Sequence, residues 1–385
     1  MSDVRITAQN SIGAVDNWLK ALAGNLTGSN VTGFRQTKVL FEDVLTQTIS
    51  AGSPATQGST NYGSINPIQF SEGGTAIKAT RTDFSQGALQ GTQRPTDLAL
   101  TGNGFFVLSK VKNPQTMNDL IFTRNGSFTF DLEPDPTILD TSGLDDAQKQ
   151  GLAGTQSGVL RLVNQDGYYV MGVTGSYQNP PVAGIPGTSL PPNEATTPGG
   201  SLDPLKNGLD MKPFSFPFIK VPDPASPYNL NADLIGRFSF NRNGQLTHTG
   251  TLDVPDSTDD FEKGGKIVLS GAGISNSGKI NKYVSVASFA TPDGLLRSDG
   301  SQFQWAATAG PTFMGVAGVT DTNPAIGNRT VGSSNEIAAG SLETSNSSVN
   351  TALPELTIAQ KSFTANVKIV SVGNTLIDDV NQLIR

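Results

Sequence analysis

Cysteine is absent from the 385 residues, which excludes a disulfide framework and any thiolate metal site. Outside the cytoplasm such a chain draws its stability from burial and assembly. Histidine occurs once, at His248, beside a turn; a lone imidazole builds no His-rich metal site, and a Ser-His-Asp triad would lack every usual motif context. Charged residues make up only 15%, with 33 acidic against 26 basic and a net charge of −7. That balance argues against nucleic acid, whose phosphates require a basic face, and against an anionic membrane surface. No apolar run approaches the ~20 residues needed to cross a bilayer. What is abundant is glycine, 43 residues, and proline, 23, beside an ordinary 36% of hydrophobic residues: many turns and a β-rich middle, not disorder. The length allows two to four domains.

The ends of the chain read differently from its middle. Leu353, Leu356, Phe363, Val367, Val370, Ile377 and Ile384 follow alternating three- and four-residue steps, interrupted by Gln360, Asn374 and Asn381. This is the seam of a coiled-coil helix, capped by Thr351 with Pro354 in its first turn, and forms a rod of roughly 50 Å. Ala8, Ile12, Val15, Leu19, Leu22 and Leu26 keep the same step near the N-terminus, with Trp18 beside the seam. Two matching stripes most simply pack on each other. Each is narrow, so a two-helix hairpin leaves apolar surface for neighbouring subunits to cover, and the termini read as an assembly device. The first 26 residues form an amphipathic pattern without the apolar core or cleavage site of a Sec signal peptide.

Residues 36–75 read as a Thr-, Ser- and Gly-rich connector with one short helix, Phe41 to Ile49. From Ile77 the period becomes two. Asn103-Gly104 between Leu98/Leu100 and Phe105/Val107, and Asn125-Gly126 between Phe122 and Phe128/Phe130, predict tight hairpins; Asp166-Gly167 and Asn243-Gly244 mark further turns. Prolines from Pro180 to Pro227 crowd a span that excludes helix and central strand, as in looped surface or the rim of an inserted domain. Gly102-Asn103-Gly104 and Gly271-Ala272-Gly273 lack the context of phosphate loops, and the Asp groups at 131–146 and 256–260 lack calcium-loop spacing, so they read as turns and solvated loop charge. No catalytic, cofactor-binding or metal-ligating residue is expected, and the chain does not read as an enzyme.

Several segments carry a resemblance. Asn25-Leu26-Thr27-Gly28-Ser29-Asn30-Val31-Thr32-Gly33-Phe34-Arg35 is similar to the signature of bacterial flagellar hook and basal-body rod proteins, with Gly24 and Gly28 where that family has Asn and Val31 where it has Thr. Thr82 to Leu89, Asp97 to Val107 and Phe122 to Phe128 resemble the core of the family's β domain, and Tyr283 to Phe289 its return strand. Gly340 to Asn346 and Gln360 to Asn366 are similar to its C-terminal signatures. The resemblance implies a structural subunit of the flagellar axial structure, outside the cytoplasm at the hook or basal body, exported without a cleaved signal. Its partners would be copies of itself, other rod, hook and junction proteins, the assembly cap and the flagellar export apparatus, with no nucleic acid and no membrane insertion.

The expected fold is α+β, mainly β. Residues 1–30 with 351–385 form a terminal helical domain of paired coiled-coil helices, 31–75 with 330–350 a connector, 76–175 with 281–329 a discontinuous inner β domain, and 176–280 an inserted outer β-rich domain. The expected assembly residues are Ile12, Val15, Leu19, Leu22, Leu26, Asn30, Gly33, Leu353, Leu356, Phe363, Val367 and Val370. The large insertion favours the hook, a flexible torque-transmitting tube, over the distal or proximal rod. Two readings from other classes remain beside it: a secreted adhesin or binding module, and a β-rich hydrolase with paired carboxylates.

Overall fold

Helical periodicity at the two ends becomes two long helices, Ser2–Gly28 and Val349–Leu383, in this computed structural model. The structure describes residues 2–43, 47–50, 69–71, 74–174, 211–220, 222, 238–248, 267–270, 273–274, 282–310, 312–317 and 335–383. It is mixed helix and sheet, mainly strands. The chain divides into one unit of residues 1–30, 35–83 and 347–385, and a second of residues 31–34 and 84–346.

In the helical unit the two helices pack together, and the described residues of the expected short helix Phe41 to Ile49 are strand instead, with 44–46 outside the described residues. Thr37–Asp43 pairs antiparallel with Thr75–Thr82, and Gln47–Ser50 with Gln69–Ser71. The run Val39-Leu40-Phe41 explains the correction: β-branched and aromatic residues favour a pleated, half-buried surface over a helix that lacks a cap. Trp18 of the N-terminal helix meets Phe41 edge-on, with ring centroids 5.5 Å apart.

The β unit is built around an eleven-stranded antiparallel sheet. Its central order is Ser215–Lys220, Gln156–Val163, Tyr169–Thr174, Lys282–Phe289, Phe105–Ser109, Leu120–Thr123, Gln302–Gln304 and Leu296–Asp299. Alternate residues of a strand point to opposite faces, and here both faces are covered. Phe106 and Leu108 join one core with Leu98, Leu100, Phe128, Leu162 and Val284; Phe105 and Val107 join another with Phe122, Ala287, Phe289 and Phe303. This is why Phe105-Phe106-Val107-Leu108 is apolar without alternation.

Neither of the first two expected hairpins forms. Leu98–Thr101 pairs with Glu336–Ala339, while Phe105–Ser109 pairs with Leu120–Thr123. The glycine with left-handed backbone is Gly102, at φ 95°; the Gly104 N–H donates to Asn335 Oδ1 at 3.1 Å. At Asn125 the side-chain oxygen accepts the Ser127 N–H, and Gly126 is required because a Cβ there would overlap the Leu98 carbonyl. Close backbone approach, not a two-residue turn, selects these glycines. Asp166-Gly167 and Asn243-Gly244 do turn the chain between paired strands, with Gly167 at φ 79° and Gly244 at φ 75°.

Part of the 176–280 span belongs to this same core, while Ile267–Ser270 pairs with Leu139–Asp140 and Gly273–Ile274 in a separate three-stranded sheet. Met211–Pro213 pairs with Met171–Val173, Ser215–Lys220 with Gln156–Arg161, and Phe214, Phe216, Phe240 and Leu246 are buried with Leu98 and Leu100. Pro217 sits on an edge strand, where a missing N–H costs no ladder bond. The remainder of that span, including Gly271-Ala272, lies outside the described residues.

Candidate assembly surface

The N-terminal helix presents a broad apolar face. Ala8, Val15 and Leu22 are buried and Ile12, Leu19 and Leu26 half-buried, as the stripe predicts; Ala14 and Asn25 are buried in a second column beside it. Such width belongs to a helix with more than one neighbour. Val15 and Leu22 pack with Ala359 of the C-terminal helix, and Trp18, Leu19, Leu356 and Phe363 complete the cluster.

The C-terminal seam differs from the sequence expectation in one of its two columns. Leu356, Phe363, Val370 and Ile377 are half-buried, as expected. Leu353 and Val367 are not in the seam: they are 48% and 43% exposed, and Ala352 and Ala359 are buried instead. Ala352, Ala359, Asn366 and Gly373, seven residues apart, are the less exposed positions of that column. Small side chains let the helix axes approach closely, and a larger residue one step away is displaced outward. Ile384 lies outside the described residues.

Roughly a third of a turn from this seam, by 3.6 residues per turn, runs a second apolar stripe. Ile369, Val372, Leu376, Val380 and Leu383 are all exposed, Leu383 by 85%, and Ile358 continues the line towards the N-terminal end of the helix. Ile369, Leu376 and Leu383 are spaced by seven, as are Ile358 and Val372 by twice seven. A helix apolar on two faces needs a second neighbour.

Of the signature turn, Gly33 belongs to the β unit and Asn30 to the helical unit. Gly33 takes φ 68°, and its N–H donates to the Glu343 carbonyl at 2.8 Å. A Cβ at Gly33 would meet the Asn125 amide nitrogen at 2.5 Å, so the position demands glycine twice over. Phe34 is buried with the Arg297 guanidinium 4.9 Å from its ring centroid, and Asn30 is exposed. Burial pushes the Arg297 pKa down from its usual value. Sequence reasoning missed Asn25, which lies in the signature segment: its side chain donates to the Thr37 carbonyl at 2.8 Å and accepts the Thr37 N–H at 2.7 Å, pinning the start of the first strand to the helix. A buried Asn in a helix interior is the signal that could have found it.

No group of three His, Asp or Glu side chains converges among the described residues, and no described helix is long and apolar enough to cross a membrane. The shifted carboxylates are structural. Asp119 Oδ2 accepts the Gln115 and Thr116 N–H groups, each at 3.0 Å, which holds its carboxyl below the usual range. Lys112 and Arg161 do the same for Glu133. A lowered folded-state pKa adds stability above the unfolded pKa that is lost as pH falls through the folded one. Asp119→Asn is therefore expected to lower the melting temperature near pH 7, with the gap to the parent closing below about pH 4; a gap independent of pH would contradict this.

Comparison with known proteins places this geometry. A family profile described as "Flagellar basal body rod FlgEFG protein C-terminal" matches residues 338–383, which contain the strand Ser341–Glu343 and the whole C-terminal helix. The flagellar hook protein FlgE of Borreliella burgdorferi is 35% identical over 113 residues, 29% of this chain and 23% of the relative. The basal-body rod protein FlgG of the same organism is 36% identical over 127 residues, 32% of this chain and 44% of the relative. FlgG of Bacillus subtilis is 22% identical over 369 residues, 95% of this chain and 93% of the relative. The matched C-terminal region is that of the flagellar hook and basal-body rod proteins. The profile's span contains both the seam residues and the exposed stripe. The alignments to the two Borreliella proteins span less than half of those relatives' lengths.

Proposed function

We propose that this chain is a structural, non-catalytic subunit of the flagellar axial structure that polymerises with copies of itself through its terminal helices. The exposed stripe Ile369, Val372, Leu376, Val380 and Leu383 carries the reading, because a second heptad-spaced apolar face on a helix already packed along its seam suits a neighbouring helix. Each such side chain contributes about 1.5–3 kcal/mol when fully buried. The paired terminal helices form an inner layer of coiled-coil character; the β unit supplies lateral contacts. Other rod, hook and junction proteins, the cap and the export apparatus are its further partners, at the hook or basal body.

Hook and rod are the two readings of position. The length of the 176–280 span supports the hook; the alignment to a rod protein over 95% of the chain supports the rod. Negative-stain electron microscopy of the concentrated chain separates them: curved tubes are expected of a hook subunit and straight ones of a rod subunit. A discrete small oligomer without tubes would favour the adhesin.

A further inference from the structure

Glu343 is fully buried, and its atoms serve three segments far apart in sequence. Its backbone carbonyl accepts the Gly33 N–H at 2.8 Å; its Oε1 accepts the Gly87 N–H at 2.8 Å; its Oε2 lies 3.3 Å from Arg124 Nη1. Arg124, buried beside it, donates to the Leu100 carbonyl at 3.1 Å and to the Gly102 carbonyl. Around this node the Thr344 N–H donates to the Ala88 carbonyl at 2.8 Å and the Asn346 N–H to the Phe34 carbonyl at 3.3 Å. A Cβ at Gly87 would overlap the Thr344 carbonyl. The outgoing pass of the chain at 31–34 thus meets the return pass at the Glu343 backbone carbonyl, while the turns at 87 and 100–102 are tied to its carboxylate directly and through Arg124.

A buried ion pair adds little net stability, because desolvation offsets its attraction, yet losing one partner strands the other charge. What such a pair supplies is choice of arrangement: few alternative packings satisfy both a buried guanidinium and a buried carboxylate. We propose that Glu343 is a positioning residue whose carboxylate, tied to the Gly87 N–H and to Arg124, fixes the returning pass so that its backbone carbonyl is placed to receive the outgoing pass at Gly33. Its effect is on that crossing and not on the sheet.

Hydrogen exchange by mass spectrometry on the full chain tests this. In Glu343→Ala, peptides covering 31–36 and 85–90 are expected to exchange at least tenfold faster, while the peptide covering 105–110 in the central strand is unchanged. Glu343→Gln retains an acceptor for the Gly87 N–H and restores much of the protection at 85–90. If Glu343→Ala does not fold, the double variant Arg124→Leu/Glu343→Leu, which removes both charges of the pair, gives the same contrast between crossing and strand. Acceleration of all three peptides together, as from a general loss of stability, overturns the proposal, and so does unchanged exchange at 31–36 and 85–90.

Discussion

Gly33→Ala is expected to destabilise the β unit by roughly 2–5 kcal/mol, the sum of about 1–2 for a left-handed backbone carrying a Cβ and about 1–3 for overpacking. The second contribution arises because the new methyl meets the Arg124–Asn125 peptide, which belongs to the turn below the core and cannot yield as a flexible side chain would. Gly167→Ala is the matched comparison: φ is 79° there, but nothing lies within 4 Å of the added Cβ, so only the backbone cost of about 1–2 kcal/mol applies. The two tryptophans fall one in each unit, Trp18 and Trp305. In a Trp18→Phe background, urea unfolding followed by Trp305 fluorescence reports on the β unit, and its midpoint should fall further for Gly33→Ala than for Gly167→Ala. Equal midpoints would refute the close approach at Gly33.

The second large effect is expected on assembly. Val372→Lys with Leu376→Lys removes two side chains from the exposed stripe and puts two charges in their place. Forfeiting about 1.5 kcal/mol at each position raises the concentration needed for assembly more than a hundredfold. Folding of the monomer should be almost untouched, since both positions are exposed in it. Light scattering against concentration reads the first effect and circular dichroism melting the second. Unaltered assembly, or loss of helix in the monomer, would count against the stripe. The companion change Leu353→Lys, in a residue the sequence places in the seam and the structure leaves exposed, should leave helix packing intact.

Local patterns that depend on one element were legible in the sequence. The N-terminal stripe from Ala8 to Leu26, the positive φ at Gly33, Gly167 and Gly244, and the column Leu356, Phe363, Val370 and Ile377 all follow from period or turn chemistry within a few residues. What depended on a partner was not. Choosing Leu353 over Ala352 followed hydrophobicity, whereas the packed column is set by how closely two axes approach, and alanine permits the closer contact. Asn103-Gly104 and Asn125-Gly126 have the text of hairpins, but their glycines answer to Asn335, Val286 and Leu98, residues that sequence spacing cannot bring near. The Thr37–Asp43 strand was likewise invisible as such, because its pairing partner begins at Thr75, beyond a long polar stretch.

Because the chain has no cysteine, a single introduced thiol reports on one position, and that makes the decisive measurement simple. Val372→Cys should react freely with a maleimide in dilute protein and at least tenfold more slowly once the chain is concentrated into polymer, while Asn17→Cys, on the exposed polar face of the N-terminal helix, serves as the reference. Protection of Val372→Cys that appears with assembly would establish the stripe as the contact between subunits. An assembled polymer in which Val372→Cys still reacts at its dilute rate would contradict the account.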